Sequence, residues 1–112
     1  MSESRTNIRY NTIARAHIHD ISDADALVKD ISITGCCIEY TMLVDITLNS
    51  QYTIQIIPEP ASKIGKFEMV VESRWIRTGE YSCDYGFIIT ASPKGKSFQR
   101  YVDYLTWRSI LL

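Results

Sequence analysis

Two short polar segments contain residue types suited to binding an anionic nucleotide. The first holds Arg5 and Arg9, four positions apart, and arginine side chains pair well with phosphates and with the O6/N7 edge of guanine. The second, residues 30–35, reads Asp-Ile-Ser-Ile-Thr-Gly. Its carboxylate can accept hydrogen bonds from the donors on the opposite edge of guanine. Together the two segments predict a site for a guanine nucleotide.

The rest of the chain predicts the scaffold that positions these side chains. At 112 residues it has the length of one domain and can bury a core without disulfides or metals. We divide it into a flexible N-terminal arm, residues 1–11, and a body, residues 12–112. Short segments rich in branched apolar residues predict strands at 12–19, 26–33, 36–40, 52–57, 67–76 and 81–90. Their regular spacing favours a small closed barrel.

The C-terminal end of the chain has a helical pattern instead. Apolar residues from Phe98 to Leu105 follow the spacing of one helix face. We therefore predict one amphipathic helix that covers an end of the barrel. Trp107 and residues 110–112 add apolar surface beyond that face, which makes the helix a candidate contact for a homodimer.

Composition restricts the class of protein further. The formal net charge of −1 argues against a general nucleic-acid binder. No apolar run has the length of a membrane span or a signal core, so we predict a cytoplasmic protein without membrane insertion. The three cysteines fit neither a disulfide framework nor a zinc site. Cys36 and Cys37 alternate faces of a strand, so we expect one in the core and the other exposed.

Enzymatic and metal chemistry find little support in the sequence. It shows no Ser–His–Asp or Cys–His arrangement of known spacing, no phosphate-cradling glycine loop and no paired carboxylates in an apolar setting. His17 and His19 share a strand face, but a third ligand of matching spacing is not evident. We therefore expect no enzymatic activity, no metal and no cofactor.

The pattern R-x-x-x-R on an arm, followed about twenty residues later by D-x-S-x-x-G, resembles the PilZ domain. That family comprises bacterial receptors for the second messenger cyclic di-GMP. The segments Ser73-Arg74-Trp75 and Tyr85-Gly86-Phe87 are similar to two further PilZ strands. The resemblance implies a mainly β fold, a six-stranded antiparallel barrel of Greek-key, split-barrel type with a C-terminal α-helix.

The resemblance also implies which residues bind cyclic di-GMP. Arg5 and Arg9 would bind guanine edges and phosphates as the arm folds across the barrel mouth. Asp30 would accept from guanine or orient an arm arginine, and Ser32 would donate to the ligand or fix that carboxylate. Gly35 would permit close approach of the backbone. Trp75 is a further candidate for lining the site.

A receptor in which arm closure signals to a downstream protein partner is therefore the first hypothesis. One alternative is a PilZ-like adaptor that binds proteins but no ligand. Another is a small oligonucleotide-binding barrel.

Overall fold

The computed structural model describes residues 8–22, 24–91 and 96–111. These residues form seven strands and one α-helix, α1, which spans Ser97–Leu111. A short 3-10 helix, Pro60–Ser62, lies between the fifth and sixth strands. The strands are β1 Tyr10–Asn11, β2 Arg15–His17, β3 Ala26–Ile31, β4 Gly35–Tyr40, β5 Gln51–Ile57, β6 Phe67–Thr78 and β7 Cys83–Ala91.

Six of the strands close into an antiparallel barrel in the order β2, β3, β4, β7, β6, β5 and back to β2. The short β1 pairs with the end of β3, whereas β2 pairs with its beginning. Between them the Thr12 N–H donates to the Lys29 carbonyl (3.2 Å) and the Val28 N–H donates to the Ala14 carbonyl (2.9 Å). β1 and β2 therefore act as one interrupted strand. The predicted six-stranded barrel with a C-terminal helix is confirmed.

β3 ends earlier than the apolar pattern predicted. The sequence favoured a strand as far as Ile33, but β3 stops at Ile31. The Ser32 N–H donates to the Gly35 carbonyl (2.8 Å), which turns the chain directly into β4. Ile33 is consequently 48% exposed at the turn. An apolar side chain does not extend a strand where the backbone hydrogen bonds already close a turn.

The core lies inside the barrel and under one face of α1. Inward side chains of every barrel strand are buried, among them Ala16, Val28, Ile38, Ile54, Val71 and Tyr85. From α1, Phe98 and Tyr101 pack against Phe67 with ring centroids 6.1 and 6.2 Å apart. The predicted apolar face of the helix is thus the face that it buries. Among the described residues, no helix is both long and apolar enough to cross a membrane.

A buried polar network, the helix seam network of Glu59, Tyr101 and Arg108, fastens α1 to the barrel. The Tyr101 hydroxyl donates to Glu59 Oε1 (2.7 Å), and Arg108 Nη1 donates to Glu59 Oε2 (3.0 Å). Arg108 also donates to the carbonyl of Asn11 in β1. The helix is therefore tied to β1, the last two residues of the segment predicted as the arm.

Candidate functional site

A row of four residues crosses the outer face of the barrel on adjacent strands. Asp30 of β3 pairs with Cys37 of β4, Cys37 pairs with Gly86 of β7, and Gly86 pairs with Trp75 of β6. Directly opposed residues in antiparallel strands project to the same side of a sheet. The second polar segment and the predicted tryptophan therefore share one surface, although 45 positions separate Asp30 from Trp75 in the sequence.

A cleft of about 440 Å³ lies over this row. It is open to solvent and is bordered by β3, the turn after it, β4, β6 and β7. Four of the residues predicted from the sequence line it together: Arg9, Asp30, Gly35 and Trp75. Arg74 and Arg77 line it as well, from β6. Arg5, the other predicted arm arginine, lies outside the described residues.

Asp30 holds Arg9 at the rim of the cleft. Arg9 Nε donates to Asp30 Oδ1 (2.7 Å), and Arg9 Nη2 lies 2.5 Å from the same oxygen. The side chains are 46% and 27% exposed, respectively. An ion pair this exposed contributes little to folding stability, typically about 0–1 kcal/mol. It does orient the guanidinium at the cleft before any ligand arrives.

Ser32 does not face the cleft, although its position two residues after Asp30 suggested that the two side chains share a strand face. Its side chain is buried, and its hydroxyl accepts hydrogen bonds from the N–H groups of Thr34 and Gly35 (both 3.2 Å). Asp30 and Ser32 would share a face only if β3 continued past Ile31. Because the chain turns there, the Ser32 hydroxyl stabilises the turn that carries Gly35.

Two glycines of the cleft are required by close contacts within the sheet. A Cβ atom on Gly35 would lie 2.4 Å from the carbonyl oxygen of Phe87. A Cβ atom on Gly86 would lie 2.1 Å from Cε2 of Trp75, because the indole lies against β7 at that point. Gly86 thereby determines the position of the largest aromatic surface in the cleft, which is 41% exposed.

A second charged group, the Asp84 network of Lys29, Arg77 and Asp84, lies beside Trp75. Lys29 Nζ and Arg77 Nη2 donate to the same oxygen, Asp84 Oδ2, at 2.9 and 3.2 Å. The Arg77 guanidinium carbon lies 5.2 Å from the centroid of the Trp75 ring, within the range of a cation–π contact. Asp84 is only 7% exposed. The sequence did not predict this network, although the alternate positions of Trp75 and Arg77 place them on one strand face.

The charges of this network stabilise one another. Burial by itself would raise the pKa of Asp84, but hydrogen bonds from Lys29 and Arg77 outweigh burial and hold that pKa below its ordinary value. The hydrogen bond to Asp84 in turn raises the pKa of Lys29. Lys29 and Asp84 are therefore charged at neutral pH. Asp84 Oδ1 is buried and has no hydrogen-bond partner among the described residues.

Both neighbouring cysteines are buried, which corrects the expectation that one of them is exposed. Cys36 lies in the core, and Cys37 lies on the opposite face beneath the cleft, 4% exposed. Burial raises the pKa of Cys36 to about 12 and that of Cys37 to about 11, with Asp30 adding to the effect at Cys37. Both thiols are protonated near neutral pH and are therefore poor nucleophiles.

The histidines lie on a different part of the barrel. The rings of His17 and His19 are 5.8 Å apart, and His17 Nδ1 lies 3.2 Å from Asp25 Oδ1. Across residues 8–22, 24–91 and 96–111, no three His, Cys, Asp or Glu side chains are grouped closely enough to hold a metal ion.

Comparison with known proteins gives a structural match only. No family model and no curated protein matches the sequence. The solved structure of the Bacillus subtilis inhibitor of motility, MotI/DgrA, is similar with a TM-score of 0.79 at 14% sequence identity. The match covers 96% of this chain and 52% of that one, so this chain spans about half the length of its structural neighbour. The likeness establishes the fold: the chain has the PilZ-like barrel and C-terminal helix.

Proposed function

We propose that this protein is a receptor for cyclic di-GMP and that the ligand binds in the cleft over β3, β4, β7 and β6. One observation carries the proposal. Arg9, Asp30, Gly35 and Trp75, which come from three separate segments of the sequence and were predicted to bind or line the site, line the same cleft.

The chemistry of the cleft matches the groups of the ligand. Cyclic di-GMP carries two phosphodiesters and two guanine rings, so its receptor needs cations, a hydrogen-bond acceptor and a flat apolar surface. Arg9 provides a forked donor, and the Asp30 carboxylate can accept from guanine N1–H and the exocyclic amine. Adenine has no N1–H and no 2-amino group, so this acceptor favours guanine. The exposed indole of Trp75 offers a stacking surface, and stacking on an aromatic side chain contributes about 1–3 kcal/mol per base in proteins that bind single-stranded nucleic acids.

Binding would couple to the position of the arm. Arg9 is occupied by Asp30 in the present structure, so a ligand that recruits either side chain must rearrange this pair. We expect the arm, including Arg5, to close over the bound dinucleotide and to form a surface for a downstream protein partner. The protein would act in the cytoplasm as a signalling effector without catalysis. Control of motility is one candidate output, because the structurally similar MotI/DgrA is an inhibitor of motility.

Calorimetric titration of the full chain with cyclic di-GMP, cyclic di-AMP and GTP tests the proposal. We expect saturable binding of cyclic di-GMP alone. Arg9→Ala and Asp30→Ala should each weaken it about tenfold or more, because each removes a charge-assisted contact. Arg100→Ala is the matched control, since Arg100 is an exposed arginine of α1 away from the cleft. Wild-type protein that shows no binding at tens of micromolar would refute the proposal.

The exposed end of α1 favours a second candidate, a PilZ-like adaptor that binds proteins without a ligand. Trp107, Ile110 and Leu111 are 57%, 77% and 63% exposed on the last turns of the helix. Such a surface also suits a homodimer. Failure of cyclic di-GMP to bind, together with loss of self-association in Trp107→Ala by analytical ultracentrifugation, would favour this alternative.

A further inference from the structure

The cleft has cationic side chains at two separated ends. Arg9 stands at the β3 end, whereas Arg77 stands at the β6 end. Two strands, β4 and β7, lie between β3 and β6, so the ends are three strand spacings, or about 14 Å, apart along the sheet. A ligand that contacts both ends must carry acceptor groups on both of its sides. A cyclic dinucleotide, with two phosphodiesters, has this property.

The two ends differ in how exposed their arginine is. At the β3 end, the Arg9 side chain is paired with Asp30 and is 46% exposed. At the β6 end, the Arg77 side chain is paired with Asp84, which also holds Lys29 of β3, and is 70% exposed. Arg77 is therefore the more accessible of these two arginines to a phosphate group.

The Arg77 side chain contacts Asp84 on one side and is exposed to solvent on the other. It is 70% exposed, while the Asp84 side chain that it contacts is 10% exposed. A guanidinium has five N–H donors, and the bond to Asp84 Oδ2 uses one of them. The Trp75 ring adds a second contact to the guanidinium. Less conformational entropy is then lost when Arg77 binds an anion, because its position is already restricted.

We propose that Arg77 is a ligand-binding residue that donates to a phosphate group of the nucleotide at the β6 end of the cleft, with Asp84 and Lys29 as positioning residues. This inference rests on the proposed function and deepens it. Asp84 contacts Arg77 from the protein side and is itself buried, so it acts through the arginine and not on the ligand. The absence of a side chain at Gly86 lets the indole of Trp75 lie against β7. The Arg77 guanidinium lies over that indole, so Trp75 sets its height above the sheet.

Calorimetry with cyclic di-GMP on Arg77 variants is the direct test. Arg77→Ala should raise the Kd about tenfold, since a charge-assisted hydrogen bond is lost. Arg77→Lys keeps the charge but loses the planar fork, so its Kd should lie between those of wild type and Arg77→Ala. Arg100→Ala should leave the Kd within about twofold of wild type. The wild-type Kd should also rise more steeply with salt than that of Arg77→Ala, because the variant has one fewer cation to screen.

A double-mutant cycle separates a positioning role from a merely structural one. Asp84→Asn removes the charge that holds Arg77 while keeping the shape of the side chain. If Asp84 acts through Arg77, this substitution changes the Kd in the wild-type background and changes it much less in the Arg77→Ala background. Equal changes in the two backgrounds would overturn the positioning role.

Fluorescence of Trp75 gives an independent readout. In a Trp107→Phe background Trp75 is the remaining tryptophan, and ligand binding beside it should change its emission. Adding Arg77→Ala should move that titration to about tenfold higher ligand concentration. If wild type binds and Arg9→Ala does not, but Arg77→Ala binds like wild type, the role of Arg77 is refuted and the proposed function stands. If wild type does not bind at all, both are refuted.

Discussion

Two arginine–carboxylate pairs, Arg9–Asp30 in the cleft and Arg108–Glu59 under α1, differ in burial and therefore in what they do for the protein. In the cleft, Arg9 and Asp30 are 46% and 27% exposed. In the helix seam network, the Glu59 and Arg108 side chains are 5% and 26% exposed. Water competes with the first pair and much less with the second. The comparison teaches that similar ion pairs remain free to exchange partners where they are open to water and stabilise the fold where it closes over them.

The hydrogen bonds of the two regions agree with this division. Both carboxylate oxygens of Glu59 are occupied, one by Tyr101 and one by Arg108. A buried carboxylate that is fully satisfied is costly to disrupt, because its former partners are left without acceptors. Asp30 has Arg9 on one oxygen, Oδ1. The cleft pair can therefore exchange partners with a ligand at modest cost.

Removing Glu59 should have the largest effect on stability. Glu59→Ala leaves the buried Tyr101 hydroxyl and the Arg108 guanidinium without their acceptor, so we expect a loss of about 2–4 kcal/mol in the free energy of unfolding. Urea denaturation measures it. Glu68→Ala, at an exposed position of β6, is the matched control and should change stability by less than about 0.5 kcal/mol. Equal effects of the two substitutions would show that the seam network does not stabilise the fold.

Gly86→Ala should lower both the stability of the fold and the affinity for the ligand. Its effect on stability should be smaller than that of Glu59→Ala. The new Cβ would lie 2.1 Å from the Trp75 ring, so the indole must move, at a cost of about 1–3 kcal/mol. The emission of Trp75 in the Trp107→Phe background and the thermal midpoint should both change. At Gly65 an added Cβ meets nothing within 4 Å, so Gly65→Ala should change neither. An unaltered Trp75 spectrum in Gly86→Ala would contradict the contact.

Arg9→Ala should weaken ligand binding while leaving stability nearly unchanged, whereas Glu59→Ala should lower stability. We expect its free energy of unfolding to stay within about 1 kcal/mol of wild type, because the Arg9–Asp30 pair is exposed. Its affinity for cyclic di-GMP should still fall about tenfold or more. Parallel urea denaturation and calorimetry test the comparison directly. A large loss of stability in Arg9→Ala would mean that the cleft pair, like the seam network, is structural.

The buried thiols should affect stability only at alkaline pH. The pKa values of Cys36 and Cys37 are raised to about 12 and about 11 by burial, from an ordinary value of 9.0. The unfolded chain therefore loses these protons first as pH rises, and stability should decrease above about pH 9. Urea denaturation at pH 8 and pH 10 measures the decrease. Cys37→Ser should reduce it, and an unchanged pH dependence in that variant would exclude Cys37 as a source.

Much of the fold could be predicted from local patterns. The recurrence of apolar residues indicated the barrel strands, and the spacing from Phe98 to Leu105 identified the buried face of α1, because periodicity reports which side of an element faces a core. The end of β3 could not be predicted in this way. There, backbone hydrogen bonds between Ser32 and Gly35 decided the turn, and apolar character at Ile33 gave the wrong indication.

The site could be predicted in part. The residue types of Arg9, Asp30 and Trp75 indicated their chemistry, and the structure brings them to one cleft. The Asp84 network could not be inferred, because Lys29 and Asp84 are 55 positions apart and meet only when β3, β4 and β7 pair. The burial of Cys37 could not be inferred for the same reason, since its neighbour on β7, Gly86, comes from a distant part of the chain.

The sequence by itself determined which side chains are available: forked donors, a guanine-compatible acceptor, an indole and a recurrence of short apolar segments that favours a barrel. Only the tertiary structure decided which of the carboxylates are buried and which cations they hold. Asp30 stays open at a rim, while Glu59 and Asp84 are enclosed. The physical reason is that exposure to water, which sets the strength of every ion pair, depends on closure of the barrel by residues far apart in the chain.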